Sequence, residues 1–327
     1  MKSSLSKKLA EPFIWLFWKA QITALRCCPP FCAVVSSLSI GAANSRKLWI
    51  KTLLRLAVQG PCAVTVHVRN TLAKHVVLSR VTFAITERCT LNCEKCAAHI
   101  PQRKARSDIS LDELSQDIQT MLACVDHVDI VYFSGGETFL HPNLDQMIQL
   151  CADSGKVGSI NILTNGTVIP NAKMLNTLQE AHAAVRISKY AATLQPDVET
   201  LKELLKESGI CYTHESGAAW SDMNGSDQLK KGSAKRRFSV CVNQLCALCY
   251  YGKLHLCGES AYLMREGQIP DCEEDYINLR TIKPAEFRGQ WRKLLKKRVI
   301  SACSYCLGDT YKTPKIPVAV QCEPPQK

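Results

Sequence analysis

From residue 81 onward, short apolar runs alternate with longer segments whose apolar positions recur at helical spacing. Residues 81–85 (VTFAI), 128–134 (VDIVYFS), 159–163, 185–188 (VRIS) and 210–214 read as strands. Between them, residues 110–124, 144–154, 171–183 and 199–208 read as helices. Ser110 and Glu113 have the spacing of a capping box at the start of the first helix. This strand–helix alternation argues for an α/β fold built on a parallel sheet. Residues 221–237 interrupt the pattern with Asn224-Gly225-Ser226 and a basic run at 230–237, and read as a linker or solvated loop.

Composition narrows the class. The chain has 327 residues, 46% of them hydrophobic and 21% charged, so a large buried core is available and disorder is a poor reading. The formal net charge of +12 alone would suggest a nucleic-acid partner. Its distribution argues otherwise. Residues 1–80 hold 12 Lys/Arg against one acidic residue, Glu11, while residues 81–327 hold 29 against 28. The body is nearly neutral and no specific nucleic-acid binding is expected of it. Residues 1–80 read as a basic extension. Within it, residues 48–56 (LWIKTLLRL) suit an amphipathic helix that could rest on an anionic membrane surface through Lys51 and Arg55, or pack on the body with those cations in water. A presequence is a further option, and no convincing secretory signal is present.

The 18 cysteines are too dilute in a chain this long for a disulfide-stapled miniature fold. Cys89, Cys93 and Cys96 follow the first strand with C-x3-C-x2-C spacing. Three thiolates on one loop can hold a metal centre and leave one position open. A structural zinc site normally closes that position, and His99 would be available to do so. An iron–sulfur cluster with three cysteines instead keeps one iron free. Gly135-Gly136-Glu137 follows the second strand, where glycines allow close backbone approach and a carboxylate can accept from an ammonium group.

These two motifs, in this order on strand ends, resemble the radical S-adenosylmethionine (radical SAM) superfamily. The resemblance implies a partial (β/α)6 TIM-like barrel over residues 81–225. It implies Cys89, Cys93 and Cys96 as ligands of a [4Fe–4S] cluster whose open iron chelates S-adenosylmethionine. Gly135, Gly136 and Glu137 would bind the methionine amino group of that cofactor. Thr164, Asn165 and Ser188 at later strand ends would touch its ribose or carboxylate. Lys95 departs from the family pattern, which usually has an aromatic residue before the third cysteine.

Cysteines crowd again after the linker. Cys241-x10-Gly252-x4-Cys257 has a glycine placed for a tight hairpin, and Cys303-x2-Cys306 adds a clip. This resembles the twitch/SPASM-like auxiliary-cluster domain, here a small cysteine-rich α+β domain over residues 226–327. The implied ligands of an auxiliary [4Fe–4S] cluster are Cys241, Cys257, Cys303 and Cys306. Cys246-x2-Cys249 is a competing clip, and a four-cysteine zinc knot is the alternative use of the set. If both thiols are spare, Cys249 is the preferred hydrogen-atom donor beside a radical site and Cys246 the reserve.

The resemblance implies an oxidoreductase or epimerase acting on a carbohydrate or sugar conjugate, served by a flavodoxin- or ferredoxin-type electron donor. A radical SAM peptide maturase and a zinc-stabilised interaction module without enzymatic activity are the alternatives. Clusters and unpaired thiols need a reducing compartment, which points to the cytoplasm, with contact at the inner membrane face through residues 1–80 as a further option.

Overall fold

The computed structural model describes residues 76–103, 105–215, 219–223, 231–310 and 312–322. The basic extension, apart from its last five residues, lies outside them, as does the proposed amphipathic helix at 48–56. Among the described residues no helix is long and apolar enough to cross a membrane.

Five strands and four helices alternate first. They are β1 (Val77–Thr86), α1 (Leu111–Cys124), β2 (His127–Gly135), α2 (Leu144–Asp153), β3 (Val157–Thr164), α3 (Ala172–Glu180), β4 (Ala184–Ser188), α4 (Val198–Glu207) and β5 (Tyr212–Glu215). β1 begins at Val77, so residues 77–80 belong to the body rather than to the extension. Ser110 caps α1 by accepting from Glu113 N at 3.3 Å, and its hydroxyl returns a bond to Glu113 Oε2 at 3.0 Å, the expected capping box. Asn171 caps α3 in the same way through Met174 N at 2.9 Å.

The second half adds β6 (Trp220–Ser221), α5 (Lys231–Phe238), β7 (Leu248–Tyr250), β8 (Lys253–His255), α6 (Gly258–Arg265), β9 (Tyr276–Asn278), α7 (Pro284–Lys296) and β10 (Lys315–Ile316). The main sheet runs β5-β4-β3-β2-β1-β7-β8-β9, and β6 pairs with β10 separately. Strands β1 to β5 are parallel to their neighbours, and β7 is parallel to β1 with Thr82 opposite Leu248 and Phe83 opposite Cys249. This is the α/β, mostly parallel sheet of the partial-barrel class.

One detail differs from six successive strand–helix units. The sixth parallel strand is β7, from the cysteine-rich segment, and it joins the sheet beside β1. The auxiliary segment thereby shares its sheet with the barrel strands. Tyr251 and Gly252, at φ 47° and 75°, make the two-residue turn from β7 to β8, so Gly252 serves the tight hairpin its spacing suggested.

The strands alternate their faces. Val81, Phe83 and Ile85 of β1, Val131 and Phe133 of β2, and Ile162 of β3 are buried in the core with Ile118 and Met121 of α1 and Met147 and Ile148 of α2. Arg80 and Thr82 of β1 and Ser134 of β2 point to the opposite face and line a cleft. The period of two thus separates packing from chemistry along each strand.

Candidate functional site

The cleft has a volume of about 610 Å³, within the usual range for a small-molecule site. Cys89, Cys93 and Cys96 line it together with Gly135, Gly136 and Thr164. Asn165 and Ser188 line it as well. Eight of the nine residues that the sequence associates with the first cluster and its cofactor therefore share one cavity.

The glycine pair does more than leave room for a ligand. A Cβ at Gly136 would lie 2.0 Å from Arg88 O, and one at Gly135, whose φ is 142°, would lie 2.2 Å from Thr86 O. In their place run two backbone bonds, Gly136 N to Thr86 O and Glu137 N to Arg88 O, each 2.8 Å. The end of β2 is thereby docked on the start of the cysteine loop, and any side chain at these positions would force the two apart.

Glu137 is the exception. Its side chain is fully buried and does not line the cleft. Oε1 accepts from Phe139 N at 3.0 Å and Thr164 Oγ1 at 2.8 Å, and Oε2 accepts from Asn165 N at 2.8 Å. Burial pushes its carboxyl up to about 7, against the lowering effect of those three donors. Glu137 here ties the end of β2 to the end of β3.

Asn165 extends that tie to the cysteines. Its Nδ2 donates to Thr90 Oγ1 at 3.0 Å and reaches Cys89 Sγ at 3.5 Å, while Oδ1 accepts from Thr167 N at 2.9 Å. Gln195, only 2% exposed, donates to Asn165 O at 2.5 Å and Ser188 O at 2.6 Å, and accepts from Tyr190 N at 2.8 Å. It staples the ends of β3 and β4 below the cleft. Tyr190 lines the cleft near all three cysteines, and burial pushes its phenol up to about 12. Neither Gln195 nor Tyr190 stands in a motif, so sequence reading missed both. Lys95, in place of the usual aromatic residue, lines the cleft with its Nζ 3.6 Å from Asp222 Oδ1.

Burial pushes the Cys89 thiol up to about 11 and raises that of Cys93. Cluster-free, these residues are neutral thiols, and metal binding would release their protons. All described cysteines are free. A set of soft sulfur donors on a loop, facing an open cleft, fits an iron–sulfur cluster with one accessible iron. His99, the residue able to complete a zinc site, is committed elsewhere: its Nε2 lies 3.1 Å from Glu259 Oε2 in a buried hydrogen bond.

A second cavity is lined by Cys241, Cys257, Cys303 and Cys306. The four come from the approach to β7, the N-cap of α6 and the short helical turn after α7. Burial raises all four thiols. Backbone groups already point at two of the sulfurs, Gly308 N at Cys306 Sγ (3.1 Å) and Asp309 N at Cys241 Sγ (3.3 Å). Cys246 is absent from this lining and faces the large cleft. The competing Cys246–Cys249 clip therefore does not form. Among the described residues, no three His, Cys, Asp or Glu side chains converge closely enough to hold a single metal ion.

Cys249 is a correction. It is 2% exposed and lies in the hydrophobic core, opposite Phe83, with Asp117 of α1 and Arg280 as its charged neighbours. Leu248, one residue earlier, faces the cleft. Strand alternation thus turns Cys249 to the helix side of the sheet, away from any radical chemistry. Cys246, the reserve thiol, is the one at the cleft. His141 and His255 are packing residues, the first bound to Ile109 O at 2.9 Å and the second to Ser260 Oγ at 3.1 Å.

Asn243 and Glu259 line both cavities, so the two cysteine sets stand on either side of a shared wall. Glu259 is 5% exposed, and while its Oε2 pairs with His99, its Oε1 has no hydrogen-bond partner. A buried carboxylate oxygen without a donor is costly unless something else supplies one.

Residues 83–212 match the model of the radical SAM superfamily. Over 97 residues the chain is 27% identical to the 7,8-dihydro-6-hydroxymethylpterin dimethyltransferase of Methanocaldococcus jannaschii, a match covering 30% of this chain and 19% of that protein. Over 96 residues it is 29% identical to the S-adenosylmethionine-dependent nucleotide dehydratase of Selenomonas ruminantium, covering 29% of this chain and 33% of that one. The chain thus spans about a fifth and a third of these relatives' lengths. The solved structure of BtrN with AdoMet and 2-DOIA superposes with a TM-score of 0.49 at 16% identity, over 71% of this chain and 93% of that one. Enzymes of the superfamily use a [4Fe–4S] cluster and S-adenosylmethionine, and the sulfur donors and cleft described above suit both. Residues 83–212, the segment that contains the three-cysteine loop and the glycine pair, thus carry the match to the radical SAM superfamily.

Proposed function

We propose that the protein oxidises or epimerises a carbohydrate or sugar conjugate by radical chemistry, with a second [4Fe–4S] cluster held by Cys241, Cys257, Cys303 and Cys306. The observation that carries this reading is the shared wall. The four-cysteine cavity and the three-cysteine cleft both border Asn243 and Glu259, so a substrate in the cleft would lie beside the first metal site and against the wall of the second.

A cluster held by Cys89, Cys93 and Cys96, with S-adenosylmethionine bound beside it, would supply reductive radical chemistry able to remove a substrate hydrogen. The chain's residues supply placement. Cys89, Cys93 and Cys96 hold the iron. The backbone of Gly135 and Gly136 meets the cofactor's polar end, and Tyr190 and Tyr262 present aromatic faces to the cleft. Trp220, Asp309 and Lys315 line the rest. Aromatic faces mixed with charged and amide groups suit a polyhydroxylated ring. Glu259 Oε1 supplies an acceptor for a substrate hydroxyl or ammonium. Cys246 offers an S–H to a substrate radical, which favours epimerisation if hydrogen returns from the opposite face. A flavodoxin- or ferredoxin-type protein is the proposed electron donor.

The test is anaerobic incubation of the reduced protein with S-adenosylmethionine and fractionated cell extract, following deoxyadenosine. A carbohydrate-containing fraction should stimulate its release. Stimulation confined to peptide fractions would contradict the substrate class.

A further inference from the structure

The cysteine loop is short of backbone partners of its own. Among its internal bonds are the turn bonds Cys96 N to Cys93 O at 3.1 Å and His99 N to Cys96 O at 2.9 Å. Its middle is held by residues more than two hundred positions away. Glu94 N donates to Val320 O and Cys322 N donates to Asn92 O, each at 2.8 Å, and Cys93 and Gln321 form an antiparallel bridge. The chain reaches there through β10 and turns at Ala319, whose φ is 53°.

Gln321 sits at the centre of this bridge with its amide orientation determined. Oε1 accepts from Asn92 N at 2.8 Å, and Nε2 donates to Ala319 O at 2.7 Å. Flipping the amide would set a donor against a donor and an acceptor against an acceptor. Nε2 is therefore also the atom that donates to Cys93 Sγ, at 3.2 Å. It is a shorter contact than the 3.5 Å from Asn165 Nδ2 to Cys89 Sγ.

We infer that residues 319–322 complete the first cluster site, and that Gln321 is a positioning residue that holds the Cys93 loop and raises the cluster's reduction potential through its N–H···S bond. This rests on the reading of Cys93 as an iron ligand. The physical reason is electrostatic. A donor dipole at a ligand sulfur stabilises the more negative, reduced state, and hydrogen bonds to sulfur are among the levers that set cluster potentials. The same amide holds the loop at Asn92, so it acts on cluster retention as well.

The experiment uses the anaerobically loaded full chain and follows the cluster whose EPR signal changes on adding S-adenosylmethionine. Gln321→Glu keeps the Asn92 acceptor and removes the donor. Gln321→Met removes the donor without adding charge. Both should shift the midpoint potential to more negative values and speed iron loss to a chelator several-fold. An unchanged potential and unchanged iron loss in both variants would overturn the inference. So would a shift in Gln321→Glu alone, which would be the effect of added charge. Cys93→Ala separates the two levels. If it retains the signal, the ligand reading fails; if it loses the signal while both Gln321 variants behave like wild type, only this inference fails.

Discussion

Glu137 Oε2 accepts a hydrogen bond from the backbone nitrogen of Asn165 at 2.8 Å, joining the end of the second strand to the end of the third beneath the three cysteines. Glu137→Ala would leave that nitrogen, Phe139 N and Thr164 Oγ1 without their acceptor. Stranded buried donors cost about 1–3 kcal/mol each and are not additive. The variant should lose about 3 kcal/mol in urea unfolding of the cluster-free protein. A loss under ~0.5 kcal/mol would mean that Glu137 is not a structural tie.

The same residue carries a pH signature. Its carboxyl titrates near 7 when folded against an ordinary value of 4.5. The folded state therefore holds the proton to higher pH than the unfolded chain. Its contribution is full below about 4.5 and is lost as pH rises through about 7. Relative to Glu137→Gln, wild type should lose about 3 kcal/mol across that window. Parallel stability curves for the two proteins would contradict the raised value.

The opposite orientations of Cys246 and Cys249 separate their roles. Cys249→Ala should cost about 1 kcal/mol of stability and leave turnover intact, since its sulfur packs in the core. Cys246→Ala in deuterated water should still form deoxyadenosine while losing solvent deuterium from the product. Product labelling that survives in Cys246→Ala would remove it as the hydrogen donor.

Glu259→Gln should preserve iron content and lower kcat/KM for the substrate by about 10–100-fold, the range expected for a hydrogen bond to a charged group. Unchanged kinetics would mean that Oε1 faces no substrate donor.

Much of this architecture was legible from residue patterns. The C-x3-C-x2-C loop after an apolar run, the glycine pair after the next run and the Ser110–Glu113 box are local signals, and each appears where the pattern places it. Gly252 forms the hairpin its spacing suggested. Nonlocal pairing was not legible. Nothing in residues 248–250 announces that they pair in parallel with β1, and the face Cys249 presents depends on that pairing. The burial of Glu137 was not legible, because its motif records position while its burial depends on Thr164 and Asn165 closing over it. Gln195, Tyr190 and Glu259 act through contacts made by distant segments. Gln321, 228 positions from Cys93, lies beyond the reach of any local pattern.

The central claim is that two iron–sulfur clusters flank one cleft, and metal analysis of the anaerobically reconstituted protein tests it most directly. About eight irons and eight sulfides per chain are expected, falling to about four of each in Cys257→Ala with the S-adenosylmethionine-responsive signal retained. Zinc bound in place of iron, or an iron content that Cys257→Ala leaves unchanged, would contradict the account.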